Sequence, residues 1–125
     1  MTSWTTDELS RIGDADELRI SSVRKDGTLR PYITIWVVRA GDELYVRSAH
    51  GVDNGWFRRA KAAGTGRIQA GGLERDVTFA DAASGDAHDE IDTAYHTKYD
   101  RYGDRFVGPV VGPKAAEATL RLLPR

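Results

Sequence analysis

The run Tyr32-Ile33-Thr34-Ile35-Trp36-Val37-Val38, inside a strand pattern from Arg30 to Arg39, has almost no polar interruption. A strand that is apolar on one face can leave the other face in water, but one apolar on both must be covered on both. Ile33, Ile35 and Val37 are expected to fill a barrel interior. Tyr32, Thr34, Trp36 and Val38 then face outward, against a helix, a partner subunit or a flat ligand.

The stretches around this run set the direction of the strands. Glu17 to Arg24 alternates in the manner of a strand with one wetter face, and Lys25-Asp26-Gly27-Thr28 supplies an Asp-Gly turn into the apolar run. Ala40-Gly41-Asp42-Glu43 turns the chain into a third strand, Leu44 to Arg47. Gly71-Gly72 joins Arg67–Ala70 to Leu73–Asp81, where Val77 and Phe79 alternate with Asp76 and Thr78. Short strands joined by such turns predict an antiparallel barrel, mainly β with flanking helices. At the N-terminus, Thr5 and Glu8 fit a capping box, with Trp4 and Leu9 as a hydrophobic staple and Gly13 as the stop of a short helix. A crossover helix begins near Trp56. The longest helical pattern runs from Asp86 to Tyr102, with Ile91, Tyr95, Tyr99 and Tyr102 along one stripe. Phe106 to Pro113 carries Gly108-Pro109 and Gly112-Pro113 and is expected to hold no regular structure for long. Lys114 to Ala118 reads as one helical turn, and Thr119 to Leu123 as a closing strand.

A length of 125 residues suits a single domain over 1–125 with one core. The formal net charge of −1 gives no whole-surface attraction to nucleic acid or to a membrane. The chain has no cysteine, which excludes disulfides and thiolate chemistry, and it shows neither a membrane-spanning run nor a secretory signal. The expected localisation is cytoplasmic.

Chemistry concentrates between Tyr45 and Lys61. A strand there opens into the small, polar loop Ser48–Gly55, and a basic helix follows with Trp56, Phe57 and Ala60 at helical spacing beside Arg58, Arg59 and Lys61. Free amides at a helix start, together with arginines, suit a phosphate; the same pattern also suits an ordinary crossover with a solvated basic face. Asp92 and His96 stand four apart but lack a recognised metal-ligand spacing, so no metal site is assigned. Ser48 and His50 lie near one another without a nucleophile elbow, and no catalytic residue is assigned. The tyrosine stripe suits packing or a ligand wall, with Lys98 as an anion contact.

The order of these elements, and in particular Lys25–Pro31, the apolar strand ending near Trp36, Leu44-Tyr45-Val46 and the loop before Trp56-Phe57, resembles the FMN-binding split barrel of the pyridoxamine-phosphate-oxidase-like superfamily. Ser48-Ala49-His50-Gly51 with Trp56-Phe57 is most similar to its deazaflavin-dependent nitroreductase branch. The loop lacks that branch's Gly-Gly and the proline before tryptophan, and Arg58-Arg59-Ala60 replaces its Asn-Leu ending. Ala94–Tyr99 and Thr119–Arg125 further resemble an uncharacterised bacterial domain family, DUF2255.

The resemblance implies an antiparallel split β-barrel with a short N-terminal helix, a crossover helix and a longer helix near the C-terminus. It implies that Arg47, Ser48, His50 and Gly51 meet a cofactor phosphate and that Asn54, Trp56 and Arg59 support the loop. Tyr32, Thr34 and Trp36 match the strand along which the family's ring lies. The implied cofactor is F420 (a deazaflavin) or FMN, the partners are that nucleotide and a small-molecule substrate, and the assembly is a homodimer. Two functions follow: an oxidoreductase whose cofactor transfers a hydride, or a non-catalytic split barrel that binds a flavin, haem-like or other flat ligand, or none.

Overall fold

A computed structural model describes residues 3–82 and 87–125. In chain order the elements are α1 (Thr6–Gly13), β1 (Leu18–Ser22), β2 (Ile33–Ile35), β3 (Val38–Ala40), β4 (Glu43–Arg47), α2 (Gly55–Ala63), β5 (Thr65–Ala70) and β6 (Leu73–Asp81). There follow α3 (His88–Tyr99), a 3-10 turn over Asp100–Tyr102, α4 (Asp104–Val107), a 3-10 turn over Gly108–Val110, α5 (Pro113–Glu117) and β7 (Thr119–Pro124).

Local signals set the first helix. The Thr5 hydroxyl accepts from the Glu8 amide at 3.1 Å while the Glu8 carboxylate accepts from the Thr5 amide at 2.9 Å, so the capping box closes in both directions. Those bonds, with Arg75 at 2.8 Å, hold the Glu8 carboxyl below its ordinary pKa. Trp4 and Leu9 are both buried in one cluster, and the Trp4 indole donates to the Leu122 carbonyl at 2.8 Å.

Among the described residues, seven strands form one antiparallel sheet in the order β2-β1-β5-β6-β7-β4-β3. The two edges, β2 and β3, are consecutive pieces of the same apolar run. That run is not the single strand its pattern suggested: it breaks at Trp36 and Val37, pairing Ile33 with Ile20 before the break and Val38 with Tyr45 after it. One segment thus serves both margins of the sheet, which must curl into a barrel with a split at the break.

At the split the Val37 peptide leaves both ladders, and a buried backbone group without a partner is costly. Side chains from α3 take over. The Val37 amide donates to the Tyr99 hydroxyl at 3.2 Å, and the Val37 carbonyl accepts from Lys98 Nζ at 2.7 Å. The Tyr99 hydroxyl also lies 2.8 Å from the Asp16 carbonyl, tying α3 to the segment before β1.

Period-2 alternation fills the interior with Leu18 and Ile20, Leu44 and Val46, Ile68 and Ala70, Val77 and Phe79, and Leu120 and Leu122. Val37 joins them at the split, and α1 and α2 add Leu9, Ile12, Trp56, Phe57 and Ala60. Each large side chain so buried contributes roughly 1.5–3 kcal/mol of transfer free energy. Gly66 allows β5 to close on β1, since a Cβ there would lie 2.0 Å from the Ser21 carbonyl oxygen and 2.8 Å from the Phe79 ring. The outer face of the apolar run is covered only at its far end, where Ile91, Tyr95 and Tyr99 of α3, with Val107 and Val110, pack on Val38 and Tyr45 and against Trp36, while Thr34 stays exposed. Asp86, the expected start of that helix, lies outside the described residues. Phe106–Pro113 winds into short helical turns, α4 and the 3-10 turn among them, because Gly103 and Gly112 begin turns that Val107 and Val110 anchor in the core.

Candidate functional site

At the split, β2, the loop after β4 and the start of α2 enclose a groove of about 550 Å³. Ile33, Thr34, Ile35 and Trp36 form one wall, Ala49, His50, Asn54, Gly55, Trp56 and Arg59 the other, and Phe106 and Val110 close the top. Its size falls in the range of small-molecule sites. No carboxylate of a described residue lines it.

The α2 end of the groove gathers donors that no described residue satisfies. Asn54 holds the N-cap position, but its side chain makes no capping bond, so the first amides of α2 keep no side-chain acceptor. Arg59 is exposed, makes no hydrogen bond or ion pair with another described residue, and lies back along α2 over Gly55. A Cβ at Gly55 would come within 2.8 Å of its Nη1, so the missing side chain makes space for the arginine at the helix start.

Behind this mouth sits Arg47, whose guanidinium is turned inward and whose side chain is wholly buried. Its Nε donates to Thr119 Oγ1 at 2.9 Å and its Nη1 to the Val110 carbonyl at 2.8 Å. It pairs with Asp92, and its Nη2 lies 3.0 Å from His88 Nδ1. A guanidinium only donates, so that His88 nitrogen accepts. The cation also faces the Tyr95 ring at 5.6 Å, and burial raises the Tyr95 phenol well above its usual range. Arg47 therefore ties the end of β4 to α3, β7 and the turn at Val110.

Ser48 is buried and is spent within the loop: its amide donates to Ala118, and its hydroxyl accepts from the His50 amide at 3.3 Å. Ser48 and Gly51 border a neighbouring cleft of about 320 Å³ with Lys114, and His50 and Ala49 lie between that cleft and the groove. Tyr32 is not brought to the groove, and the Arg19 guanidinium sits 5.1 Å above its ring. Of the expected set, Thr34, Trp36, Arg47, His50, Asn54, Trp56 and Arg59 line one groove.

The ring of Trp36 is set by α3, stacking on Tyr99 with centroids 3.9 Å apart and planes 4° apart. Ile33, expected in the interior, is 37 % exposed and faces the groove, and Phe106 is 56 % exposed at its rim. Neither has a local sequence signal, since Ile33 belongs to an apolar run and Phe106 to a glycine-rich one. Asp92 and His96 go separate ways, to Arg47 and to Asp100 at 2.8 Å. Lys98 is occupied by Val37, away from the groove.

Residues 8–122 match a family model described as an uncharacterized protein conserved in bacteria (DUF2255). No curated protein matches the chain. Solved structures match along nearly all of it. A FAD-binding protein from Mesorhizobium loti is 14% identical, with 98% of this chain and 91% of that one covered and a TM-score of 0.59. A putative pyridoxamine 5'-phosphate oxidase from Listeria innocua is 12% identical over 94% and 88%, with a TM-score of 0.54. An F420 reductase is 16% identical over 92% and 90%, with a TM-score of 0.51. At such identities the likeness is one of fold, the split barrel.

Proposed function

We propose, for a chain that belongs to the bacterial family DUF2255 and folds as a split barrel, a small oxidoreductase that binds F420 or FMN and acts on a small molecule by hydride transfer. The observation that carries this reading is the unpaired Arg59 at the uncapped start of α2, opening on a groove walled by Trp36, Ile35 and Trp56. Anion seat and flat apolar slot are the two halves of a flavin-type nucleotide. The names of the neighbours, a FAD-binding protein and an F420 reductase among them, support the same class of ligand.

When bound, such a cofactor supplies the hydride chemistry from its own ring system. The protein's part is to hold and shield. Arg59, the amides of Gly55 and Trp56, and His50 would take the phosphate, while Arg47, Ser48 and Gly51 fix the loop that presents them. Trp36, braced by Tyr99, would support one face of the ring and keep water from it. Phe106 and Ile33 leave an apolar rim beside the three-residue edge strand β2. A second copy packed on that rim would close the groove, giving a cytoplasmic homodimer.

Titration of the purified protein with F420 and FMN, followed by absorbance and fluorescence, tests the reading. Saturable binding of one of them is expected, and loss of a charge-assisted bond in Arg59→Ala should weaken it by about 1.5–3 kcal/mol. Absence of saturable binding by either would remove the redox assignment and leave a non-catalytic barrel.

A further inference from the structure

Beside the groove, and sharing Ile33, Trp56 and Arg59 with it, lies a smaller cavity of about 140 Å³ lined also by Ile20, Ser22, Arg30, Pro31 and Ala60. Arg30 enters it from the turn before β2 and Arg59 from α2. Arg30 is half-buried, yet its guanidinium has no hydrogen bond or ion pair with any other described residue. Other arginines do find acceptors: Arg47 with Asp92, Arg67 with Asp76, Arg75 with Glu8 and Arg101 with Asp16. The Ser22 hydroxyl, on a residue only 7 % exposed, likewise has no hydrogen bond within the described chain. No carboxylate of a described residue lines the cavity.

A guanidinium has five donors and no acceptor. Two such groups lining one small cavity, with no carboxylate of a described residue to balance them and the Ser22 hydroxyl beside them, concentrate positive charge that an anion from outside the chain would complement. We propose that Arg30, Arg59 and Ser22 form an oxyanion subsite, distinct from the amides of α2, that takes a phosphate or carboxylate group. The cavity has room for such a head group and not for a ring system. Its opening beside Trp56 and Ile33 means the group can belong to a molecule lying in the main groove. The inference rests on the unmatched donors alone and stands whether or not the groove holds a flavin-type nucleotide.

Isothermal calorimetry with inorganic phosphate, in chloride buffers of fixed ionic strength, tests the subsite on the full-length protein. Saturable binding is expected, weakened about tenfold or more in Arg30→Gln. Arg30→Lys, which keeps the charge and loses the fork, is expected to fall between the two. Melting curves establish that both variants fold. Absence of saturable phosphate binding by the wild-type protein, or an affinity that Arg30→Gln leaves unchanged, overturns the proposal. Parallel titrations with FMN and FAD identify the source of the anion. Equal weakening of cofactor and phosphate by Arg30→Gln assigns it to the cofactor; cofactor affinity unchanged while phosphate is lost assigns it to the second molecule, the substrate.

Discussion

Replacing Tyr99 by phenylalanine removes a single oxygen and keeps the ring that supports Trp36. In the native protein that oxygen accepts from the Val37 amide at 3.2 Å and lies 2.8 Å and 3.0 Å from the carbonyls of Asp16 and Val37. The Val37 carbonyl keeps Lys98 in the variant, and Asp16 is an exposed residue whose carbonyl water can reach. The Val37 amide, on a residue with no exposure, is left without an acceptor. A buried donor stripped of its partner costs about 1–3 kcal/mol. An unfolding entropy of about 2.1 cal/mol/K per residue gives about 0.26 kcal/mol/K for 125 residues, so a central loss of about 2 kcal/mol lowers Tm by about 8 °C. Thermal unfolding followed by circular dichroism measures it, and tryptophan emission reports whether Trp36 keeps its stack. A Tm within about 2 °C of the parent, with unchanged emission, would refute the claim that the Tyr99 hydroxyl holds the split together.

Arg47→Met removes a buried cation and leaves Asp92, which is only 29% exposed, with the Gly112 amide but no ion-pair partner. The loss should approach the lower end of the range for broken buried pairs, about 3 kcal/mol, read from the urea midpoint. An unchanged midpoint with weakened nucleotide binding would show an outward-facing ligand instead. Lys98 has its pKa lowered by burial from 10.5 to about 8, against the opposing pull of Asp16 and Asp14. Between those values the unfolded chain holds a proton that the folded chain has released, so this group's contribution to stability rises as pH increases through that interval. Stability of the native protein relative to Lys98→Met, by urea unfolding, should therefore be greater at pH 9.5 than at pH 7.5; a flat difference would show that Lys98 titrates as an ordinary surface lysine.

Much of the architecture was legible because it is written locally. The capping box at Thr5 and Glu8, the Asp-Gly and Gly-Gly turns and the period-2 strands each depend on residues a few positions apart. The break at Trp36-Val37 was not, because its cause lies in α3: Tyr99 and Lys98, more than sixty positions away, provide the bonds that let the strand leave its ladder. That the loop before the basic helix would line a groove was readable in outline from its small, glycine-containing sequence. Which arginine faces it was not readable. Arg47 and Arg59 are equivalent as letters, and it is the placement of Asp92, Val110 and Thr119, 45 to 72 residues on, that turns the first one inward. Arg30 gave no signal either, because an arginine next to a turn is ordinarily solvated.

The place of β7 in the sheet bears on how the protein forms. It lies between β6 and β4, so that β2-β1-β5-β6 on one side and β4-β3 on the other are joined through the most C-terminal of the seven strands. Leu44 pairs with Leu122 and Val46 with Leu120, contacts that span most of the chain. Until Thr119–Pro124 is seated, the nascent molecule carries two raw strand margins, open to mispairing with neighbours. Long-range pairing of this kind slows folding, and a chain cut short before Thr119 would expose the lining of its own barrel.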